Sequence, residues 1–224
     1  MVADRGDEKA EGPDRGRLTD FLPPDRLNAF ADGVFAIVIT LLVLELPVPE
    51  GADSLFLALM EEWPDFLAYV ISFVFIGGIW MTHASITQLT EQEDKVTFRL
   101  TLLMLFFVSL MPFTTSVMAG HLTGTGSHLA VLLYGLDLFI TSVMLSMIMR
   151  YLVWRPKLLV DGLAEEDLRE MVRRRRAGVA SCGVGVLLAL FVPLVAVAVY
   201  IAVTVFFFVH PLIYKRAIRR SVKG

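Results

Sequence analysis

Long apolar runs separated by short polar segments dominate the chain after its first two dozen positions. Four of these runs cover 27–46, 65–86, 100–118 and 129–154. A helix needs about 20 apolar residues to cross a bilayer, so each run is long enough to span one. Pro24 precedes the first run and Pro47 ends it, as expected at the two ends of a helix. The pattern predicts an all-α, polytopic membrane protein.

The last apolar stretch, 177–214, contains no Asp, Glu, Lys or Arg over 38 residues. One helix of that length would be almost twice as long as the hydrocarbon core is thick. We therefore predict a hairpin of two shorter spans, about 177–193 and 195–214, that turns near Pro193.

With six spans, all 20 lysine and arginine residues fall on one side of the membrane. Basic residues stay on the cytoplasmic side, so both termini are predicted to be cytoplasmic and the protein to lie in the cell membrane. A single final span would place the basic residues after 214 outside. We expect a disordered cytoplasmic tail over 1–24, a six-helix domain over 25–214 and a basic cytoplasmic tail over 215–224.

Composition supports this class and excludes several others. Hydrophobic residues make up 56% of the chain and charged residues only 19%, which is too little polar surface for a soluble globule. Cys182 is the single cysteine, so no intrachain disulfide and no Cys/His zinc cluster is expected. The sequence shows no phosphate-binding or nucleophile motif, so no enzyme and no cofactor are predicted. The basic run Arg173–Arg176 is interpreted as a lipid headgroup anchor rather than a nucleic-acid site.

The first span is the most polar of the six, carrying Asn28, Asp32, Thr40 and Glu45. On a helical wheel Ile37, Leu41 and Leu44 share a narrow apolar stripe, and Thr40 borders it. Asp32 lies on nearly the opposite side. Polar groups inside a membrane are costly without a partner, so this helix is the first place to look for function.

Asp32 lies about five residues from the cytoplasmic end of its span, and Trp80 and His83 lie at a similar depth in the second span. We predict a cluster in which the indole and imidazole N–H groups donate to the carboxylate. Thr101, at the start of the third span, lies at the same depth and could join.

The first span reads Arg26-x-x-x-Phe30-Ala31-Asp32-Gly33 and then Ala36-Ile37-x-x-Thr40-Leu41. The second contains Trp80-x-x-His83, and the third ends in Leu110-Met111-Pro112-Phe113. These motifs resemble the transmembrane protein 175 family, the lysosomal potassium channels and their bacterial relatives. One six-span unit resembles the bacterial branch, which implies a homotetrameric potassium channel in the lipid bilayer. The family's pore is lined by the first helix and lacks a Thr-Val-Gly-Tyr-Gly filter.

The resemblance implies a role for each matching residue. Ile37, Leu41 and Leu44 would form the apolar pore constriction, and Thr40 a hydroxyl layer beside it. The helix would be braced by Arg26, Phe30, Asp32, Trp80, His83 and Thr101. The family usually has Ser at Ala31 and Asn at Thr101, so the bracing network is expected to be thinner. Glu45 could place negative charge at the outer mouth, and permeating potassium would be the only ligand.

Alternative interpretations stay open. The stripe could be an ordinary packing face, and the acids near Glu45 merely a solvated loop. His83 could be a pH sensor, although a neutral structural histidine is preferred. Asp137, deep in the fourth span, could serve a proton path, a subunit contact or a bond to a neighbouring helix. A proton-coupled secondary transporter using Asp137, Asp32 and His83 is the alternative function, and a membrane enzyme or assembly factor is a third.

Overall fold

A computed structural model of the protein describes residues 21–22, 24–49 and 54–209. Its helices are α1 Pro24–Leu41, α2 Leu55–Glu61, α3 Trp63–Thr87, α4 Lys95–His121, α5 Ser127–Trp154, α6 Glu165–Ala189 and α7 Pro193–Val209. Leu42–Glu45 and Pro156–Leu158 form 3₁₀ turns, and the two-residue strands β1 (Phe21–Leu22) and β2 (Glu93–Asp94) form one antiparallel pair. The prediction of an all-α fold is confirmed.

The predicted first span is one continuous helical segment. α1 begins at Pro24, because proline has a φ angle suited to a first turn and no N–H to leave unpaired. Its end tightens into the 3₁₀ turn Leu42–Glu45, after which Leu46 is extended and Pro47 follows. This change of geometry comes where the apolar stripe ends.

Within the described residues, four segments are long and apolar enough to cross a membrane. These are Arg26–Glu45, Trp63–Thr87, Lys95–His121 and Ser127–Trp154. With these four segments, the chain is a multi-pass membrane protein.

α4 extends beyond the apolar run because Asp94 caps its first turn. The Asp94 Oδ1 accepts hydrogen bonds from the backbone N–H groups of Val96 and Thr97.

A turn at 190–192 divides the final apolar stretch, next to Pro193, and the assignment of a membrane span to each side of it stays a prediction. α6 ends at Ala189, and α7 begins at Pro193. α6 begins in the polar segment, where Glu165 and Arg169 form an i,i+4 ion pair at 2.6 Å. Residues 210–214 and the tail 215–224 lie outside the described residues.

Five helices form a ring, with α1 on its outside. α3 packs on α4, α4 on α5, α5 on α6, α6 on α7, and α7 returns to α3. Among the described elements, α1 makes its main contacts with α3 and α4, on one side of this ring. Its other main contact is with the 3₁₀ turn that continues it. The hydrophobic core therefore lies within the ring, and α1 keeps one side open.

Two expectations about α6 are wrong. The four-residue spacing of Ala177, Ser181 and Gly185 predicts one helix-packing face, but within the subunit Ala177 and Ser181 are exposed, and Gly185 is buried on a different small-residue face with Gly178, Cys182 and Ala189. Arg175, expected at the headgroups with the rest of its basic run, is 4% exposed, and its guanidinium donates to the Ser142 carbonyl at 3.5 Å. The packing of α6 on α5 determines which side of the helix is buried, and the spacing alone gave the wrong side.

The end of the predicted N-terminal tail is ordered. Phe21 pairs with Asp94 and Leu22 with Glu93 in the short ladder. Backbone pairing with the α3–α4 connection thus holds residues that were expected to be disordered, while residues 1–20 lie outside the described residues. Residues 50–53 also lie outside the described residues. The helix α2 follows them; the sequence did not predict it, and none of its side chains is buried.

Candidate functional site

One side of α1 is packed and the other is open. The buried side consists of Leu27, Ala31, Phe35, Val38 and Leu42. Ile37, Leu41 and Leu44 are 60%, 42% and 74% exposed. Only 28% of the Arg26–Glu45 segment is buried within the subunit, against half or more of the other three candidate spans. The predicted stripe therefore points away from the subunit's own core.

Thr40 lies on the open side next to the stripe. Its Oγ1 is 2.8 Å from the Ile37 carbonyl oxygen and 3.1 Å from that of Ala36. The hydroxyl hydrogen is therefore donated to the helix backbone, a common arrangement for threonine within a helix. The lone pairs of the oxygen remain available to accept a hydrogen bond or contact a cation.

Asp32 and Trp80 form the polar contact between α1 and α3. The Trp80 Nε1–H donates to Asp32 Oδ1 at 2.7 Å. His83 is buried one turn further along α3, with its ring centroid 6.0 Å from that of Phe35. The predicted donation from His83 to Asp32 is wrong, because the described residues show no hydrogen bond between them and the imidazole packs on Phe35 instead.

The other predicted bracing residues do not extend this contact. Arg26 is exposed, and the exposed fraction of Phe30 is 54%, so neither side chain packs into the subunit's core. Thr101 is buried, yet within the described part of the chain it makes no hydrogen bond to Asp32. Ala31 is fully buried and has no hydroxyl to donate. The structure thus brings together Asp32 and Trp80, places His83 beside them, and leaves Arg26 and Phe30 on the surface.

The C-terminal end of α1 and the 3₁₀ turn after it border an open groove of about 590 Å³ against α4. Leu41, Leu44 and Glu45 form one wall, and the other includes Ser109, Phe113, Ser116 and His121. Glu45 is exposed at the end of the 3₁₀ turn. The loop acids predicted to act with it are Glu50, Asp53, Glu61 and Glu62. Glu50 and Asp53 lie outside the described residues, whereas Glu61 ends α2 and Glu62 follows it.

Asp137 bonds to a neighbouring helix of the same subunit. It is 5% exposed, and its Oδ2 accepts from the Thr114 hydroxyl on α4 at 2.9 Å. Of the roles considered for Asp137, this geometry matches the helix contact.

A hydroxyl cluster beside Asp137 was missed by the sequence reasoning. Ser72 Oγ lies 2.7 Å from Thr115 Oγ1 and 3.0 Å from the Tyr134 hydroxyl, linking α3, α4 and α5. The signal was present, because hydroxyl residues inside apolar spans need partners. Ser72 is eight residues before Trp80, or about 12 Å along the helix, so this cluster is separate from the Asp32 contact.

We predict that Trp80→Phe destabilises the protein by about 1–2 kcal/mol, because the Asp32 carboxyl group loses its hydrogen-bond donor at a site only partly shielded from water. Thermal unfolding of the purified protein in detergent micelles measures the effect. Asp32→Asn is the matched control, since it keeps an acceptor for the indole and is expected to have a smaller effect. The bond is not stabilising if Trp80→Phe unfolds at the wild-type temperature.

These features define a class: a multi-pass α-helical membrane protein with an outlying first helix that exposes both an apolar stripe and polar groups. Residues 26–112 match the family model described as endosomal/lysosomal potassium channel TMEM175. The chain belongs to the TMEM175 family, in its bacterial branch.

Similar proteins extend beyond the matched segment. A potassium channel of Streptomyces collinus is 40% identical over 114 residues, which cover 50% of this chain and 55% of the relative. A potassium channel of Chamaesiphon minutus is 30% identical over 157 residues, covering 68% and 77%. The crystal structure of a lysosomal potassium-selective channel TMEM175 homologue from Chamaesiphon minutus covers 84% of this chain and 97% of its own, with a TM-score of 0.76 and 26% identity. The chain thus spans about half of the first relative and three quarters of the second.

Proposed function

We propose that the protein is a potassium-selective or potassium-preferring cation channel, a homotetramer in the bacterial plasma membrane whose pore is lined by α1 of each subunit. The observation that carries the proposal is the exposure of Ile37, Leu41 and Leu44 on a helix packed by its other side. Relatives named potassium channels support the choice of ion.

The polar groups on α1 distinguish this proposal from a helix that merely faces lipid. Asp32, Thr40 and Glu45 are exposed on the same helix as the stripe. Exposing such groups to hydrocarbon is costly, so the parts of α1 that carry them must face water or another subunit. A symmetric assembly around α1 provides both surroundings.

In such an assembly the three apolar side chains of each subunit form stacked rings. A narrow apolar ring opposes the passage of hydrated ions and can close by dewetting. The Thr40 oxygen, with its hydrogen held by the backbone, would offer an acceptor to a cation next to these rings. Glu45 and its neighbours would concentrate cations at the outer mouth, and both termini would be cytoplasmic.

The geometry disfavours the transporter alternative. Asp137 bonds to Thr114 in the ring of helices, whereas Asp32 bonds to Trp80 on the outside of that ring. Each carboxyl group is held in its own contact between helices, which supports the channel over a transporter that passes protons between the two.

Ion flux into liposomes containing the purified protein tests the function. We expect potassium flux that exceeds sodium flux and grows linearly with the gradient, and a crosslinking ladder that ends at four subunits. A pH-sensitive dye in the same vesicles measures proton flux. Absence of potassium flux, or a saturable flux coupled to protons, contradicts the channel.

A further inference from the structure

Two connecting loops are joined at the end of the bundle where α3 leads into α4 and α5 leads into α6. The Glu91 N–H donates to the Leu158 carbonyl at 2.8 Å, and the Val160 N–H donates to the Leu89 carbonyl at 3.0 Å. The segments run antiparallel, with Thr90 bridged to Leu159. This pairing fixes the position of the residues on either side of it.

A cleft of about 610 Å³ opens beside the paired loops. Its lining includes Lys95 at the start of α4, Trp154 at the end of α5, and Arg155 and Lys157 just after α5. The Arg155 guanidinium lies 5.2 Å from the centroid of the Trp154 ring, within cation–π range. Trp154 is 72% exposed. Three cationic side chains and a large exposed indole therefore share one cleft.

The cleft also contains Asp94, whose carboxylate is engaged within the protein. Its Oδ1 accepts from the backbone N–H groups of Val96 and Thr97 and from the Thr97 hydroxyl, while its Oδ2 accepts from the Tyr151 hydroxyl. Partial burial opposes ionisation, but these hydrogen bonds outweigh it and lower the pKa of Asp94. Asp94 is thus a fixed anion with both oxygens occupied, and the cleft still has two more positive charges than negative ones.

We propose that this cleft binds the phosphate group of an anionic phospholipid of the surrounding membrane. Arg155 can donate two parallel hydrogen bonds to phosphate oxygens, and Lys157, two residues further along the same loop, can add a point charge. Basic pockets between transmembrane helices are suited to anionic headgroups, and tryptophan favours the interface between headgroups and hydrocarbon.

The apolar surroundings favour a lipid over a soluble phosphate. Trp154 is the last residue of α5, and the half-exposed Val96 lies in the first turn of α4. Both helices are long enough to cross a membrane, so the acyl chains of a lipid whose headgroup occupies the cleft would lie beside apolar surface. A soluble phosphate would gain only the charged contacts. The proposal does not depend on ion conduction.

Lipid binding to the purified full-length protein by native mass spectrometry tests the proposal, with phosphatidylglycerol and phosphatidylcholine titrated separately. We expect phosphatidylglycerol to bind more tightly, and Arg155→Gln/Lys157→Gln to weaken it about thirtyfold, or roughly fivefold for each cation. Arg155→Lys keeps the charge but loses the planar fork, so we expect an intermediate loss even if the double variant does not fold.

The matched control is Arg99→Gln/Arg150→Gln, which removes two exposed cations, one from α4 and one from α5, that do not line the cleft. We expect its affinity for phosphatidylglycerol to stay within about twofold of wild type. An equal loss in both double variants would show general charge attraction and overturn the site. Equal binding of phosphatidylglycerol and phosphatidylcholine would also overturn the site. If inorganic phosphate alone protects the protein against thermal unfolding, the ligand is a soluble phosphate and the lipid proposal is wrong.

Discussion

Replacing Leu41 with asparagine is expected to increase potassium flux about tenfold and to reduce the preference for potassium over sodium. Leu41 is the middle member of the exposed stripe, between Ile37 and Leu44. In the proposed tetramer four polar side chains would replace an apolar ring and lower the cost of hydrating ions there. Flux into liposomes at a fixed ratio of protein to lipid measures the change.

Val43→Asn is the control for this substitution. Val43 is 50% exposed in the 3₁₀ turn that continues α1, but it lies on another side of the helix from the stripe. We expect its flux to match wild type. Unchanged flux in Leu41→Asn, or an equal increase in Val43→Asn, would contradict the assignment of the pore.

Gly135→Ala is expected to destabilise the protein by about 3 kcal/mol, the upper end of the usual cost of overpacking. A Cβ at this position would overlap the hydroxyl of Tyr200, which is fully buried between α5 and α6. A Cβ at Gly185 would overlap Cε1 and Cδ1 of the same ring, so the ring has little room to move. Thermal unfolding in detergent micelles is the measurement.

The control and the rescue use the same assay. Gly77→Ala adds a Cβ that meets nothing within 4 Å, so we expect it to be neutral or to stabilise α3 by about 1 kcal/mol. Tyr200→Phe removes a buried hydroxyl that has no hydrogen-bond partner among the described residues, and it is expected to recover part of the loss in Gly135→Ala. If Gly135→Ala unfolds at the same temperature as Gly77→Ala, the close packing around Tyr200 does not limit stability.

Much of the fold follows from local properties of the sequence. Membrane-length apolar runs and the prolines at their ends predict helices, because a backbone in hydrocarbon must satisfy its hydrogen bonds within each helix. The turn at Pro193 follows from the length limit of a single span. The pairing of Asp32 with Trp80 could be predicted from depth, since two neighbouring spans place residues at equal depth within reach.

The remaining features depend on how the helices rotate and pack. Periodicity puts Ile37, Leu41 and Leu44 on one side of α1, but only contacts with α3 and α4 show that this side is left open. Spacing suggested that Ala177 and Ser181 face a helix and that Arg175 faces the headgroups, whereas the packing of α6 on α5 exposes the first two and buries the third. The cleft at Trp154, Arg155 and Lys157 requires two loops far apart in sequence to pair.

The sequence by itself therefore determined the class of protein and its long apolar helices, and it directed the proposal of a pore to α1. Each of these depends on hydrophobicity, length or a local motif. Only the tertiary structure decided which side of each helix is buried, whether His83 bonds to Asp32 or packs on Phe35, and where Tyr200 fits between two glycines. Those outcomes depend on close packing between residues distant in the chain, and a pattern along one helix carries no information about the surface it meets.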